Sequence, residues 1–482
     1  MGECDPRMSN THNYRTGQVV EVTASDVAHG GWCVARPEGG PVVFVRHALP
    51  GERVLARVTE VTSRLVRAEA VVIRAASPDR VEPPCPHAGP GRCGGCDWQH
   101  AALPAQRALK AAVIRQQLKR LAGIEREVTV EPLPGDGGDG DDEAGPAGSR
   151  TAGLGWRTRV QFAVRGDGVA GLHAHRSHEV IDVGTCLIAH PVITDLAIPR
   201  RHWPGVVLVE AVAGTGSGES AVIVSPGGTG RSPARSVSIE GVTADSVLRR
   251  AGPRNRSLAP LRGRSYLSQR AAGRDWRVSA GAFWQVHPGA ADALADAVLA
   301  ALEPRPGDAA LDLYCGAGLF AGVLAPAVGP GGTVIGVESD RAAIRDARHN
   351  LREWPWAQVR TGDVAGVLAR RALPPARLVV ADPPRAGLAR EVIDYLSRPG
   401  NGTGRLAYVS CDPATLARDI ALLAERGWEL DGLRAFDAFP MTHHVECLAA
   451  LSRAAPWTTP GPAAGQRPDS REMTSAVMDS GA

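Results

Sequence analysis

The chain has 482 residues and a formal net charge of +3, and its positive charge is almost all arginine, since Lys110 and Lys119 are the two lysines. This length supports two to four domains with cores of their own. The polar N-terminus and the lack of any apolar run near the about 20 residues of a membrane span predict a cytoplasmic protein without a membrane anchor. Nine cysteines in such a protein indicate metal or catalytic roles rather than disulfides.

Short β-like runs begin after residues 1–16, which have no periodicity and which we expect to be disordered. Between residues 17 and 75, five such runs alternate with glycine turns, a pattern typical of a small closed barrel. The stretch from Val43 to Val54 resembles the TRAM domain, which implies an OB-like RNA-binding module. Acids interleave with the arginines of this region, so each arginine is equally consistent with a solvated surface.

A cluster of cysteines follows the predicted barrel. It comprises Cys85, Cys93 and Cys96, with glycines between them and a Cys-x2-Cys pair at its end. Glycine lets the backbone fold tightly around an ion, and thiolates bind soft metals, so the pattern predicts a metal or cluster site. A fourth ligand is required. His87 or His100 would favour zinc, whereas the distant Cys186 would favour an iron–sulfur cluster.

The region from residue 76 to residue 280 contains that loop and a mainly β central domain. Leu103 to Ala122 is predicted to be a helix with several basic residues, either facing nucleic acid or, more simply, solvated as an amphipathic surface helix. The glycine-rich acidic stretch 135–153 is expected to be a flexible loop. We expect this central region to contribute to RNA binding.

From residue 281 the pattern changes to α/β and continues to residue 453. The segment Ala309 to Phe320 reads as strand, glycine turn and helix, with Asp312 in the strand and Gly316 and Gly318 in the turn. The next strand ends in Glu338, a carboxylate suited to a ribose diol. The third glycine of the pyrophosphate fingerprint is missing, so the turn favours S-adenosylmethionine over a dinucleotide.

Three further strand ends carry candidate site residues. Asp363 follows the third strand and is predicted to hold an adenine amino group, and Asp382 follows the fourth, where two prolines stop the strand. Cys411 follows the fifth strand and precedes a helix that starts at Asp412 and Pro413. A helix N-terminus favours the thiolate, the reactive form of cysteine, so we expect Cys411 to have a depressed pKa.

All these groups are expected to meet at one rim of a seven-stranded sheet. Together the motifs Cys93-Gly-Gly-Cys96, Asp312-Leu-Tyr-Cys-Gly316, Asp382-Pro-Pro-Arg-Ala-Gly387 and Ser410-Cys-Asp-Pro-Ala-Thr-Leu-Ala-Arg-Asp419 resemble the RNA uracil-5-methyltransferase family, in the branch with a TRAM domain and a 4Fe-4S cluster. The resemblance extends over residues 17–453. It implies a class I, Rossmann-like methyltransferase domain of α/β fold at the C-terminus, followed by a disordered tail, 454–482.

The resemblance also implies roles for individual residues. Cys411 would be the nucleophile and Glu446 the base, with Phe283 and Asp382 on the uracil. The implied contacts to S-adenosylmethionine are Gln285, Asp312, Tyr314, Gly316, Gly318, Glu338, Asp363 and Asp382. The implied ligands of the 4Fe-4S cluster are Cys85, Cys93, Cys96 and Cys186.

The implied reaction is methylation of carbon 5 of a uridine in RNA. The cluster and the TRAM domain favour ribosomal RNA as the substrate. The alternatives are a transfer-RNA uracil-5-methyltransferase and a non-catalytic, cluster-containing RNA-binding protein. Retention of Cys411, Asp382 and Glu446 argues against the non-catalytic alternative. We expect a monomer, and we expect the cluster to be structural because its loop lies far in sequence from the methyl-transfer residues.

Overall fold

The computed structural model describes residues 14–38, 40–134, 152–227, 238–252, 255–370, 373–398 and 400–453. Most of the N-terminal segment 1–16, nearly all of the acidic stretch 135–153 and the whole tail 454–482 lie outside these residues. None of the helices in the described ranges combines the length and the apolarity that crossing a bilayer requires.

A closed five-stranded barrel forms the N-terminal part, as predicted. Its strands are β1 (Val19–Ala28), β2 (Trp32–Ala35), β3 (Val43–Arg46), β4 (Arg53–Val61) and β5 (Val66–Ala75), joined in the order β1-β2-β3-β5-β4. Side chains alternate between solvent and an interior filled by valines and alanines, such as Val43, Val54 and Ala68. Small β-branched side chains suit this narrow interior.

The central region is a seven-stranded sheet with the strand order β13-β12-β11-β10-β7-β8-β9. The strands are β7 (Arg159–Val164), β8 (Ala170–His173), β9 (Val180–Ile181), β10 (Val206–Ala213), β11 (Ser220–Pro226), β12 (Ser246–Gly252) and β13 (Asn255–Arg262). A short helix α2 (Pro191–Thr194) packs on it, and a separate hairpin, β14 (Tyr266–Ala271) and β15 (Arg274–Ser279), leads into the last part of the chain.

The C-terminal part alternates strands and helices in a doubly wound arrangement. Its strands are β16 (Ala309–Leu313), β17 (Thr333–Glu338), β18 (Ala357–Thr361), β19 (Leu378–Ala381), β20 (Arg405–Ser410), β21 (Trp428–Phe436) and β22 (Glu446–Arg453). Its helices are α3 (Ala290–Leu302), α4 (Leu319–Val328), α5 (Arg341–Asn350), α6 (Val364–Ala369), α7 (Arg390–Leu396) and α8 (Pro413–Ala424).

The sheet order, β18-β17-β16-β19-β20-β22-β21, places a topological switch point beside β16. The strands from β16 to β20 are parallel, whereas β22 runs antiparallel between β20 and β21. In such sheets ligands bind beyond the carboxyl ends of the strands, next to the switch point. The ends of β16, β17, β19 and β20 carry the candidate residues, so the predicted common rim is confirmed.

The strands of this sheet are buried on both faces. Along β16, Ala310 packs into one core with helices α3 and α4, while Leu311 packs into a second core with α7 and α8. Alternate residues of β20 divide in the same way between the two cores. This double burial explains why the strands read in sequence as continuous apolar runs.

Segments from before the central region complete this sheet. Helix α1 (Leu103–Gln117), extended by a π-helical turn to Ala122, packs on α8, and the two-residue strand β6 (Val130–Glu131) adds an eighth strand beside β21. Arg107 and Lys110 of α1 are buried. The interpretation of this helix as a solvated or RNA-facing surface is therefore wrong for these two side chains, which lie within the fold, whereas Lys119 and Arg120 are exposed.

Candidate active site

The turn after β16 has an unusual backbone conformation. Tyr314, Gly316 and Gly318 all adopt positive φ, at 68°, 53° and 91°. Gly318 also lies against α5, where a Cβ would come within 3.3 Å of Ala347. A tyrosine in the left-handed region is uncommon, and such residues concentrate at ligand sites. The predicted cofactor turn therefore places three residues with left-handed backbone at the switch point.

Two carboxylates organise this turn. Asp312 is buried and accepts a hydrogen bond from the Ala321 amide at 2.8 Å, which ties β16 to the first turn of α4. Burial raises the pKa of Asp312 to about 8. Glu338, at the end of β17, accepts from the Gly316 amide at 3.0 Å and from the Asp340 amide at 2.7 Å. Glu338 is thus fixed beside the glycine turn.

Two further residues implied to contact the cofactor, Asp363 and Gln285, differ in their exposure to solvent. Asp363 is exposed and caps α6 by accepting from the Gly366 amide at 3.0 Å. It lies two residues beyond Thr361, the partner of Glu338 in the adjacent strand. Gln285 is buried, whereas Phe283, two residues before it, is 67% exposed. The ring of Phe283 is therefore available to solvent.

Cys411 and Glu446 approach each other through strand register. Ser410 pairs with Cys447 across β20 and β22, so the next residues at the rim are Cys411 on one strand and Glu446 on the other. Cys411 is half-buried and Glu446 is buried. Behind Cys411, Asp412 caps α8 by accepting from the Thr415 amide at 2.8 Å. The thiol and the carboxylate therefore share one site.

The charge state of this site differs from the sequence expectation. Burial, with a further contribution from Glu446, raises the pKa of Cys411 to about 11, and Arg385 opposes the shift. The expected depressed pKa is wrong because burial and the negative charge of Glu446 outweigh the effect of Arg385. Without RNA, Cys411 is a thiol with a cation beside it.

Asp382 lies between the cofactor turn and the cysteine. Its amide donates to the Leu313 carbonyl at 3.3 Å, which joins it to the end of β16. Burial raises the pKa of Asp382 to about 7, and burial together with the charge of Asp382 raises the pKa of Glu446. Two carboxylates that hold each other's proton affinity high are an arrangement suited to accepting protons near neutral pH.

Sequence reasoning missed three residues of this site. Arg385, inside the motif that begins at Asp382, faces both the thiol and Glu446. His443 and His444 lie on the segment before β22, with their rings 4.1 Å apart. Arg385 belongs to the Asp382–Gly387 motif, so the sequence could have indicated it. The histidines carried no recognisable spacing.

The four predicted cluster cysteines come together although 90 residues separate Cys96 from Cys186. Cys85, Cys93, Cys96 and Cys186 line one small cavity of about 30 Å³, next to Arg157. Four thiols are the donor set that iron–sulfur clusters use. Within the described ranges, no group of three or more histidine, cysteine, aspartate or glutamate side chains has the arrangement of a metal-ion site. The four thiols fit a cluster chemically, although the side chains are not arranged around a common metal position.

Family models match three parts of the chain. A model described as TRAM domain matches residues 14–71, one described as tRNA (Uracil-5-)-methyltransferase matches residues 375–454, and one described as Protein-L-isoaspartate(D-aspartate) O-methyltransferase matches residues 289–374. The second of these contains Asp382, Cys411 and Glu446. The third contains the cofactor turn.

Relatives match over nearly the whole length. An uncharacterized RNA methyltransferase of Streptomyces avermitilis is 50% identical over 446 residues, covering 91% of this chain and 99% of the relative. One of Bifidobacterium longum is 34% identical, covering 93% and 100%.

The chain belongs to a family of RNA methyltransferases.

A solved structure supports the same fold. The Pyrococcus abyssi tRNA (uracil-54, C5)-methyltransferase, in complex with S-adenosyl-L-homocysteine, aligns with a TM-score of 0.65 at 23% identity, covering 90% of this chain and all of that one. The chain is therefore an RNA methyltransferase built from a TRAM barrel, a mainly β middle and a class I methyltransferase fold. The fold class predicted from the sequence is confirmed.

Proposed function

We propose that this methyltransferase methylates carbon 5 of a uridine through a covalent bond between Cys411 and carbon 6 of the uracil. The observation that supports this most is the register of β20 and β22, which sets Cys411 opposite Glu446 with Arg385 beside the thiol. Carbon 5 of uracil is a poor nucleophile on its own. Methylation of carbon 5 therefore requires a sulfur nucleophile and a base in the same site.

In the first step the Cys411 sulfur adds to carbon 6. The thiol proton leaves for a nearby carboxylate, and the electrons of the carbon 5–carbon 6 bond move towards the oxygen on carbon 4, giving an enolate. Arg385 stabilises the thiolate by charge. Bound S-adenosylmethionine supplies an electrophilic methyl group to carbon 5, and the sulfonium becomes a neutral thioether.

Glu446 then completes the reaction. Its carboxylate removes the proton from carbon 5, the double bond re-forms, and Cys411 leaves as a thiolate that takes back a proton. A base of raised pKa holds the abstracted proton well near neutral pH, and burial provides that rise here. Asp382, in its ionised form, accepts the imide N–H of the uracil and orients the ring.

The remaining rim residues bind the two substrates. S-adenosylmethionine binds at the turn formed by Tyr314, Gly316 and Gly318. Glu338 binds its ribose, and Gln285, Asp312 and Asp363 form the rest of that pocket. Phe283, exposed at the rim, stacks on a base drawn out of the RNA. The strained φ of Tyr314 and the exposed ring of Phe283 are the observations that support these assignments.

We also propose that Cys85, Cys93, Cys96 and Cys186 hold a 4Fe-4S cluster. The support is their convergence on one cavity from distant parts of the chain. A bound cluster would keep the four sulfurs as thiolates and join the loop after the barrel to the central domain. We assign it a structural role, with no step of the methyl transfer passing through it.

Ribosomal RNA is our first choice of substrate class. Transfer RNA is the second, and the likeness to the Pyrococcus abyssi transfer-RNA enzyme favours it. The test is transfer of labelled methyl from S-adenosylmethionine, by anaerobically purified protein, to ribosomal and transfer RNA from cells that lack the gene. Digestion to nucleosides should give labelled 5-methyluridine from one pool. Label in neither pool, with S-adenosylmethionine still bound, would support the non-catalytic alternative.

A further inference from the structure

The turn between β1 and β2 of the TRAM barrel reaches the catalytic rim. His29 Nε2 lies 3.0 Å from Asp412 Oδ2, although 383 residues separate the two in sequence. The other oxygen of Asp412 caps α8 through the Thr415 amide. One carboxylate therefore fixes the start of α8 and binds the barrel, directly beside the nucleophilic Cys411.

Gly31, in the same turn, packs against the segment that leads to Glu446. Its φ is +80°, and a Cβ there would lie 2.8 Å from the Cβ of His443. Its carbonyl accepts from the Trp98 indole at 3.2 Å, which holds the turn against the loop after the cysteine cluster. The absence of a side chain at residue 31 is what allows this close approach.

A second, buried link joins the barrel to the same segment. Arg46 of β3 donates to Asp97 Oδ1 at 2.9 Å, and Asp97 Oδ2 lies 2.6 Å from His443 Nδ1. Arg46 and Asp97 are both buried. Charge-assisted bonds of this kind are stronger than neutral ones when solvent is excluded. The barrel is thus attached to both sides of the catalytic centre, at Asp412 and at His443.

Between these attachments lies a cavity of about 190 Å³. The barrel contributes His29, Gly30 and Gly31 to its wall, and the methyltransferase part contributes Arg385 and Cys411 among others. The nucleophile thus faces a space that neither part of the chain encloses alone. A base drawn out of RNA that enters this space reaches Cys411 in its wall.

We propose that the β1–β2 turn of the barrel is one wall of the uracil pocket and that His29 is a positioning residue that holds Asp412, and with it Cys411, in place. The inference rests on the proposed function. The barrel then acts in the formation of the adduct, in addition to any part in RNA binding. His29 touches neither the thiol nor the reacting carbons, so its effect passes through the start of α8.

RNA containing 5-fluorouridine provides the test, because a fluorine on carbon 5 cannot be removed as a proton and the methylated adduct with Cys411 accumulates. The rate of adduct formation at saturating RNA and the Kd for RNA are measured separately on the full-length protein. For H29A we expect an about tenfold slower rate with a Kd within about twofold of the parent value, since one partly exposed hydrogen bond to a carboxylate is lost. H29Q, which can still donate to Asp412, should recover most of the rate.

A glycine pair supplies the matched control. G31A places a methyl group against His443, whereas G51A carries the same backbone strain, at φ +86°, with nothing within 4 Å. G31A should slow adduct formation, and G51A should not. Thermal unfolding of each variant establishes that it is folded.

Each result has one meaning. An unchanged rate in H29A and G31A, or a weaker Kd with an unchanged saturating rate, would overturn the inference and leave the barrel as an RNA-binding module. Equal slowing by H29A and H29Q would also overturn it, since the contact with Asp412 would then not matter. If the parent protein forms no adduct, the proposed function itself fails.

Discussion

Lys110 and Asp437 form an ion pair that is closed off from solvent, although 327 residues separate them in sequence. Lys110 lies on α1, and Asp437 follows β21. Lys110 also donates to the Phe439 carbonyl at 3.0 Å. The pair therefore fixes the beginning of the segment 437–446, which carries His443 and ends at Glu446, the proposed base.

Removing one partner of this pair should be strongly destabilising. K110M leaves the Asp437 carboxylate buried without its counter-ion, and we expect a loss of about 3–5 kcal/mol in the free energy of unfolding. The double variant K110M/D437L, which removes both charges, should recover most of that loss. Urea unfolding followed by circular dichroism measures both. Equal stability of K110M and the parent protein would show that the pair contributes nothing.

Glu446 should be required after methyl transfer and not before it. E446Q retains Cys411 and Arg385, so addition and methylation can proceed while proton removal from carbon 5 stalls. We expect a covalent protein–RNA adduct that survives a denaturing gel, with turnover reduced by about 10²-fold or more. C411S/E446Q is the matched control and should give no adduct. An E446Q protein that binds RNA and turns over normally would contradict the assignment.

Alkylation of Cys411 by iodoacetamide should be slow at neutral pH and should accelerate as pH rises. Because the pKa of this thiol is raised to about 11, the thiolate fraction grows about tenfold per pH unit up to that value. R385Q removes the neighbouring positive charge, raises the pKa further and should slow alkylation at every pH below it. Mass spectrometry of the Cys411 peptide measures this reaction apart from the other cysteines. A rate in R385Q equal to that of the parent would mean that Arg385 does not act on the thiol.

Asp312 should make the ligand-free protein less stable as pH rises. Its pKa in the folded state is raised to about 8 by burial, so the unfolded chain releases this proton at lower pH than the folded one. The contribution of Asp312 to stability is therefore present below pH about 4 and is lost as pH rises to about 8. D312N should have a higher Tm than the parent at pH 8, by a margin that shrinks towards pH 4. An equal margin at both pH values would rule out the raised pKa.

The proposed cluster can be tested by composition. Protein purified without oxygen should contain about four iron atoms and four sulfides per chain and absorb visible light. C96S should lose most of the iron, whereas C33A, which alters a thiol in the barrel core that donates to the Ala48 carbonyl, should keep it. Iron retained in full by C96S, or zinc found in place of iron in the parent, would contradict the proposal.

Local patterns predicted much of the fold. Five short β-like runs separated by glycine turns predicted the barrel. The runs that lead to Asp312, Glu338, Asp382 and Cys411 predicted one rim, because parallel strands buried on both faces leave their carboxyl ends together. Contacts across long stretches of chain were not predictable. His29 meets Asp412 only because the barrel docks on the sheet, and no local signal encodes that docking.

Two expectations failed for a common reason. The basic spacing of α1 indicated a surface helix, yet Lys110 is buried against Asp437, and the helix N-terminus at Asp412 indicated a thiolate, yet burial and Glu446 keep Cys411 protonated. In both cases the deciding quantity is the solvent exposure of a charged group and the identity of its distant neighbours. A sequence pattern reports neither.

The eighth strand has a consequence for how the chain is made. Val130 pairs with Ala435, 305 residues later, so α1 and β6 leave the ribosome long before the sheet that receives them exists. At a synthesis rate of about 5–20 residues per second, the side of α1 that packs on α8 lacks this partner for on the order of 15–60 s. The side of α1 that packs on α8 therefore stays exposed while the later parts of the chain are synthesised, and a chaperone that shields it during this interval should raise the yield of native enzyme.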